Sequence, residues 1–249
     1  MGKILCMDTA TTFCSVALTD SGQLMALKES SVKNLHASNL TIFIEEVLNS
    51  ACASFAGLDA IAISMGPGSY TGLRIGVATA KGLCYALDKP LIAIPTLKAM
   101  ALGMRLNTPP HATSKEDLPA VKAGERTRGW GYCPMIDARR MEVFCAIYDA
   151  NLQEFRETKA EIIQENSFKQ FLLRHPIVFA GEGAEKCKPV LKNYKNAIFI
   201  DGFNNSAKYM VLLAEIKFQQ NEFEDLAYFE PFYLKDFIAG RPRVKGLDS

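Results

Sequence analysis

Residues 62–87, AISMGPGSYTGLRIGVATAKGLCYAL, run from an apolar strand through Gly66-Pro67-Gly68-Ser69 into a helix. Where a strand feeds a glycine-rich loop and a helix start, backbone N–H groups and the helix dipole can hold an anion. Gly66, Gly68, Ser69 and Thr71 are the candidate contacts, with Arg74 a further cation near the helix start. The same residues also read as a tight turn in which Ser69 or Thr71 caps the helix. A Walker A loop is excluded, because no Gly-Lys-Ser/Thr closes the loop and Lys81 lies deep inside the helix. A serine-nucleophile elbow is excluded too, since Pro67 takes the place of its first glycine.

Two aspartates end apolar strands, Asp8 before Thr9-Ala10-Thr11-Thr12 and Asp137 before Ala138-Arg139-Arg140-Met141. Each suits a metal-water ligand or an ordinary turn residue. Arg139 and Arg140 offer cations to an anion, where a phosphate loop would offer glycine amides. A second glycine pair, Gly181-Glu182-Gly183-Ala184, stands where an adenosine could rest. His36, His111 and His175 lack metal-ligand spacing, and the seven cysteines form no CxxC pair. The expectation is therefore no catalytic residue and no metal site.

The elements that must position these residues come in two sets. Strand alternation over KILCMD, FCSVALTD and GQLMALKES gives an antiparallel meander, and a helix follows over about 35–52. A strand over 59–65, a helix over 70–87, the strand PLIAIP and a helix over 97–106 complete the order βββαβαβα. A second meander opens near residue 133, and the spacing from Asp8 to Asp20 equals that from Asp137 to Asp149. Helices over 165–174, 183–192 and 206–219 alternate with the strands PIVFAGEG and NAIFID, so the order repeats.

Such a duplication is the plan of the actin-like ATPase fold. The expectation is α/β, with two RNase H-like domains at 1–106 and 132–220 and ligands outside the strand ends. Residues 107–131 read as an inserted mobile loop and 221–249 as a C-terminal tail, with Arg241, Arg243 and Lys245 as its basic cluster. The last helix is free to pack back across the domain boundary.

Gly72, Gly76 and Ala80 recur every fourth residue in the helix over 70–87, although an interior glycine costs about 1 kcal/mol relative to alanine. Small residues in one stripe admit another backbone, either the protein's own sheet or a partner helix. Leu35 and Ile42 point away from the face that carries Phe43 and Val47, which favours a partner, and Tyr70 opens the same candidate interface. Lys and Arg number 28 against 27 Asp and Glu, so no global charge marks a nucleic-acid binder. No signal peptide or membrane span is evident, and a cytoplasmic location is expected.

The segments ILCMDTATTFCSVAL, AISMGPGSYTGLRIGVATAKGLCYALDKPLIAIPTL, MIDARRMEVFCAIYD, GEGA and EPFYLK together resemble the bacterial TsaB (YeaZ) family, in the same order along nearly the whole chain. The resemblance implies a noncatalytic, dimerising subunit of the complex that forms N6-threonylcarbamoyladenosine at position 37 of tRNAs reading ANN codons. It further implies a TsaD-like catalytic partner that carries the metal, a TsaE-like ATPase, tRNA reached through the complex, and a homodimer when the chain is alone. The two helices that follow the meander and the GPGSYTG loop would form a bundle with the partner. No cofactor of its own is implied, with ATP or ADP at or near the partner interface. An older M22 glycoprotease label finds no support in the residues. The rivals are an autonomous actin-like ATPase or kinase and a tRNA-docking module.

Overall fold

The structure, a computed structural model, describes residues 1–31, 36–108 and 131–235, leaving Leu35, most of the inserted loop and the basic C-terminal cluster outside the described residues. The first half contains β1 (Lys3–Asp8), β2 (Cys14–Asp20), β3 (Gln23–Ser30), α1 (His36–Ser50), β4 (Ala60–Gly66), α2 (Tyr70–Leu87), β5 (Leu91–Pro95) and α3 (Thr96–Asn107). The second contains β6 (Gly131–Asp137), β7 (Glu142–Tyr148), β8 (Glu154–Ile162), α4 (Lys169–Leu172), β9 (Ile177–Ala180), α5 (Glu182–Leu191), β10 (Ala197–Ile200) and α6 (Val211–Gln219). The first sheet is ordered β3-β2-β1-β4-β5 and the second β8-β7-β6-β9-β10, so the two halves share one RNase H-like topology.

Strands buried on both faces read as continuous apolar runs, and their side chains sort by parity. Along β1, Leu5 and Met7 join the core under α1 and α2, whereas Ile4 and Cys6 join a second core. That second core is shared: Leu97, Met100 and Met104 of α3 pack with Tyr132, Ile136 and Phe144 of the other sheet. Cys133 and Met135, on the opposite parity of β6, face a third core under α4 and α5. Helix α6 lies against β1 and β5 of the first half, and the Gly2 N–H donates to Glu215 of α6.

Two helices differ from the sequence pattern. The expected helix over 165–174 shrinks to α4, because Phe168 takes a left-handed backbone (φ 65°) with its ring buried against Phe179, and Pro176 restricts the residue before it. The expected helix over 206–219 opens as a 3-10 turn, Ala207–Met210, before α6 begins. Segment 221–232 lies on the first half, where Glu224 bridges to Leu91, Phe229 enters the core under α2 and the Phe232 N–H donates to the Met65 carbonyl (2.7 Å), and Lys235 beyond it pairs with Glu142 of the second half. Among the described residues, no helix is long and apolar enough to cross a membrane.

Helix α2 corrects the expectation for its glycine stripe. Gly72, Gly76 and Ala80 are buried on the protein's own sheet, not presented to a partner. A Cβ on Gly72 would stand 2.0 Å from the Thr9 carbonyl oxygen, and one on Gly76 would stand 2.3 Å from Thr9 Oγ1. Gly82 differs, for a Cβ there would meet nothing within 4 Å. The two glycines should therefore respond oppositely to alanine. Gly72→Ala is expected to destabilise by about 1–3 kcal/mol through overpacking against backbone. Gly82→Ala should stabilise by about 0.5–1 kcal/mol. Urea unfolding of both variants measures this, and equal signs would contradict the assigned faces.

Candidate functional site

The Gly-Pro-Gly-Ser loop is consumed within the chain. The Ser69 N–H donates to the Ala10 carbonyl (2.6 Å), the Gly66 N–H donates to Thr96 Oγ1 (3.0 Å), and Pro67 has no N–H. Ser69 is the N-cap of α2, its hydroxyl accepting from the Gly72 N–H (3.3 Å). Thr9 Oγ1 donates to the Gly72 carbonyl (2.8 Å). A Cβ on Gly68 would stand 2.3 Å from the Ala10 carbonyl oxygen, so glycine is needed where the loop meets the β1–β2 turn. Of the cradle expected at Gly66, Gly68 and Ser69, the Ser69 N–H holds the first hairpin and the Gly66 N–H holds the start of α3, and Thr71 and Arg74 lie exposed beside it.

Asp8 is buried, and both its carboxylate oxygens are engaged. Oδ1 accepts from the Ala10 N–H (2.9 Å) and Ser64 Oγ (3.0 Å), and Oδ2 accepts from Asn205 Nδ2 of the second half (2.6 Å). Burial raises its pKa from 3.8 to about 6, and the three hydrogen bonds work against that rise. Asn205 begins a seam that the sequence did not reveal. Next to it the Ala207 N–H donates to Ser15 Oγ (2.8 Å), and Ser206 and Lys208 both reach Glu29. Across the same gap Thr12 donates to Glu182.

The space between the phosphate-type hairpin and the Gly181–Ala184 turn is almost closed. A cavity of about 10 Å³ remains, lined by Thr11, Met100, Ile136, Glu182, Phe203 and Asn205. That is room for one water, against roughly 300–1,000 Å³ for small-ligand sites. Gly181 (φ 100°) serves this closure, since a Cβ there would stand 2.5 Å from the Met135 carbonyl oxygen and 2.7 Å from the Met100 methyl.

The second hairpin is open to solvent. Asp137 behaves as a turn residue, accepting from the Arg139 N–H (2.7 Å) and pairing with Lys186. Arg139 (φ 71°) and Arg140 (φ 53°) are both left-handed and exposed, in the β6–β7 loop that the Glu142 N–H closes on the Arg139 carbonyl (3.2 Å), a backbone that Gly or Asn adopts at lower cost. Neither guanidinium meets an acid among the described residues, and no group of three His, Cys, Asp or Glu residues there could hold a metal. Arg74 sits 5.5 Å over the Tyr70 ring, whose centroid is 4.8 Å from that of Tyr233 with the two rings tilted by 35°. Arg74 and Tyr70 are thus brought together, while Asp8 and Asp137 lie in hairpins with separate partners.

On the outer face of α2, the exposed residues are Thr71, Arg74, Ala78, Gly82, Tyr85 and Ala86, at helical spacing. Ile42 of α1 is 49% exposed and Tyr85 is 84% exposed, on two helices that touch each other. Ile42 is outward, as the helical pattern predicts. The small outward residues are Ala78, Gly82 and Ala86, a stripe set off from Gly72, Gly76 and Ala80.

The raised Asp8 pKa fixes a pH dependence. A carboxyl that binds its proton more tightly in the fold stabilises the fold when protonated, so its contribution is present below about 3.8 and is lost as pH rises through about 6. The wild type should lose up to about 3 kcal/mol across that window relative to Asp8→Asn. Urea midpoints of both proteins at several pH values measure the difference, and a constant offset would remove the burial argument.

A family model described as "TsaD: tRNA N6-adenosine threonylcarbamoyltransferase" matches residues 30–245. The tRNA threonylcarbamoyladenosine biosynthesis protein TsaB of Escherichia coli K12 is 30% identical over 95% of this chain and 96% of its own length. A tRNA N6-adenosine threonylcarbamoyltransferase of Sphingopyxis alaskensis is 42% identical, but over only 30% of this chain and 22% of its own. Among solved structures, YeaZ from Pseudomonas aeruginosa superposes with a TM-score of 0.73 at 22% identity, covering 94% of this chain and all of that one, which shows the same fold. The similarity that runs the whole length is to TsaB, and the chain belongs to the TsaB/YeaZ family.

Proposed function

We propose that the protein is a noncatalytic subunit in the formation of N6-threonylcarbamoyladenosine on tRNA, and that it docks a TsaD-type catalytic subunit through the outer face of α1 and α2. The observation that carries this reading is Gly82, an interior helical glycine with open space before it and no intramolecular reason for its cost. With Ala78 one turn earlier, it lets a partner helix approach closely. Ile42 and Tyr85 supply exposed apolar surface on the same pair of helices. A TsaE-type ATPase and tRNA join through the catalytic subunit, ATP or ADP lies near the shared interface, and the same face self-associates when the partner is missing. An ATPase acting alone would need far more room than the 10 Å³ cavity left between the first hairpin and the Gly181–Ala184 turn.

Ile42→Glu and Gly82→Leu test the face. Both are expected to keep the monomer's melting transition, with Gly82→Leu slightly higher, and to weaken self-association and TsaD-type binding at least about tenfold in analytical ultracentrifugation. Unchanged sedimentation of both mixtures would sink the interface. In reconstitution, the chain alone should yield no modified tRNA, whereas adding the TsaD-type and TsaE-type proteins with threonylcarbamoyl-adenylate should yield it.

The left-handed Arg139-Arg140 turn supports an anion contact from the second hairpin, because strained non-glycine residues persist where their side chains are needed. Replacing the pair together, Arg139→Asn with Arg140→Gly, should stabilise the fold by about 1–2 kcal/mol and lower tRNA modification by the reconstituted complex. Undiminished modification would make the pair a solvated turn.

A further inference from the structure

A larger cavity, about 510 Å³, opens on a different side of the molecule. Its floor is the end of β4 and the β5–α3 junction, its far wall is the β7–β8 hairpin of the second half, and the strap carrying Phe232 closes one side. That hairpin lies at the opposite end of its sheet from Asp137, so the cavity is remote from the Arg139-Arg140 turn. The volume falls in the range of small-ligand sites.

The walls combine apolar and charged groups. Met65, Pro67, Leu152 and Phe232 give an apolar surface, and Lys98 and Glu154 bring one charge of each sign from the two halves. Glu154 accepts from Thr158 Oγ1 (2.9 Å), and no ion pair joins it to Lys98. Lys98 is half-buried with no acceptor among the described residues, whereas Lys81 holds two carbonyls and Lys186 holds Asp137 and the Glu142 carbonyl. Lys89, the other half-buried lysine without such a partner, lines neither cavity. An ammonium that no protein acceptor holds is available to an anion in the cavity, where a charge-assisted hydrogen bond would form. Glu154 in the same cavity repels polyanions, so a nucleoside di- or triphosphate is a poor match.

We infer that this cavity binds a small carboxylate with an apolar body, its carboxylate on Lys98 and its body against Met65, Leu152 and Phe232. An ammonium on the same molecule would add a contact to Glu154. Calorimetric titration of the full chain with N-acetyl-leucine, leucine and ADP separates the cases. Saturable binding of N-acetyl-leucine or leucine, weakened about tenfold or more by Lys98→Met, is the expected result. Lys98 has no partner to lose among the described residues, so the melting transition of Lys98→Met should match the wild type and serve as the folding control. If leucine is preferred, Glu154→Gln should abolish the preference. Binding of ADP alone, binding unaffected by Lys98→Met, or no saturable binding of either carboxylate would overturn the assignment. Interface variants such as Ile42→Glu should leave the titration unchanged, which keeps this test separate from the docking proposal.

Discussion

A carboxylate removed from water must be met by donors, and Asp8 at the end of the central strand β1 recruits them from three separate parts of the chain. Ala10 comes from the adjoining turn, Ser64 from the neighbouring strand β4, and Asn205 from the second half. Fixing the turn also fixes its own outward carbonyls, and these are what Ser69 and the tip of α2 dock against. The glycines at 68 and 72 follow from that closeness, because the Ala10 and Thr9 carbonyl oxygens occupy the space a Cβ would need. Once α2 is seated on backbone at this distance, its roll about its own axis is set. The residues left on its far side are then a consequence of Asp8.

The same knot closes the space between the first hairpin and the Gly181–Ala184 turn. In an RNase H-like pair, ligands collect outside the carboxyl ends of the strands. Here the end of β1 is occupied by the chain itself, with Asn205 on Asp8, Glu182 on Thr12, and Met100 and Phe203 in the remaining space, whereas the ends of β4 and β5 stay open to the larger cavity. The core shared by α3, α6 and both sheets continues this contact inward. Opening the halves would expose apolar surface from Leu97, Met100 and Ile136 as well as unpair Asp8, so the two costs reinforce each other.

Element order was legible because the meander strands are short apolar runs bounded by polar turns and the helices carry a period of 3.6, and α2 matches its expected span at both ends. Which face of α2 looks inward was misjudged. Small residues occur on two stripes, 72-76-80 and 78-82-86, and glycine spacing does not say which one meets the sheet. The deciding signal lay beside the first stripe, where Leu73, Val77 and Cys84 form an apolar row that carries Gly72, Gly76 and Ala80 into the core with it. Asn205 and Glu182 were invisible for another reason: each is an ordinary loop or helix-start polar residue until the fold brings it across about 170 or more positions of sequence. The break at Phe168 depends on a left-handed backbone that no periodicity encodes.

The two hairpins, equivalent by topology, have come to differ in where their polar groups point. The first turns its oxygens and amides inward, to α2 and to the second half, and leaves little for a ligand. The second keeps Arg139 and Arg140 in solvent on a backbone that arginine adopts at a cost of about 1 kcal/mol or more per residue. Packing does not require arginine there, since no described acid holds either side chain. One hairpin is thus spent on holding the molecule together, and the other presents charge outward. With Arg74 at the start of α2 and the open backbone at Gly82 on the same helix, the surface offered to a protein partner lies on the outside of the halves, and the room left between them, beside Lys98, is of small-ligand size.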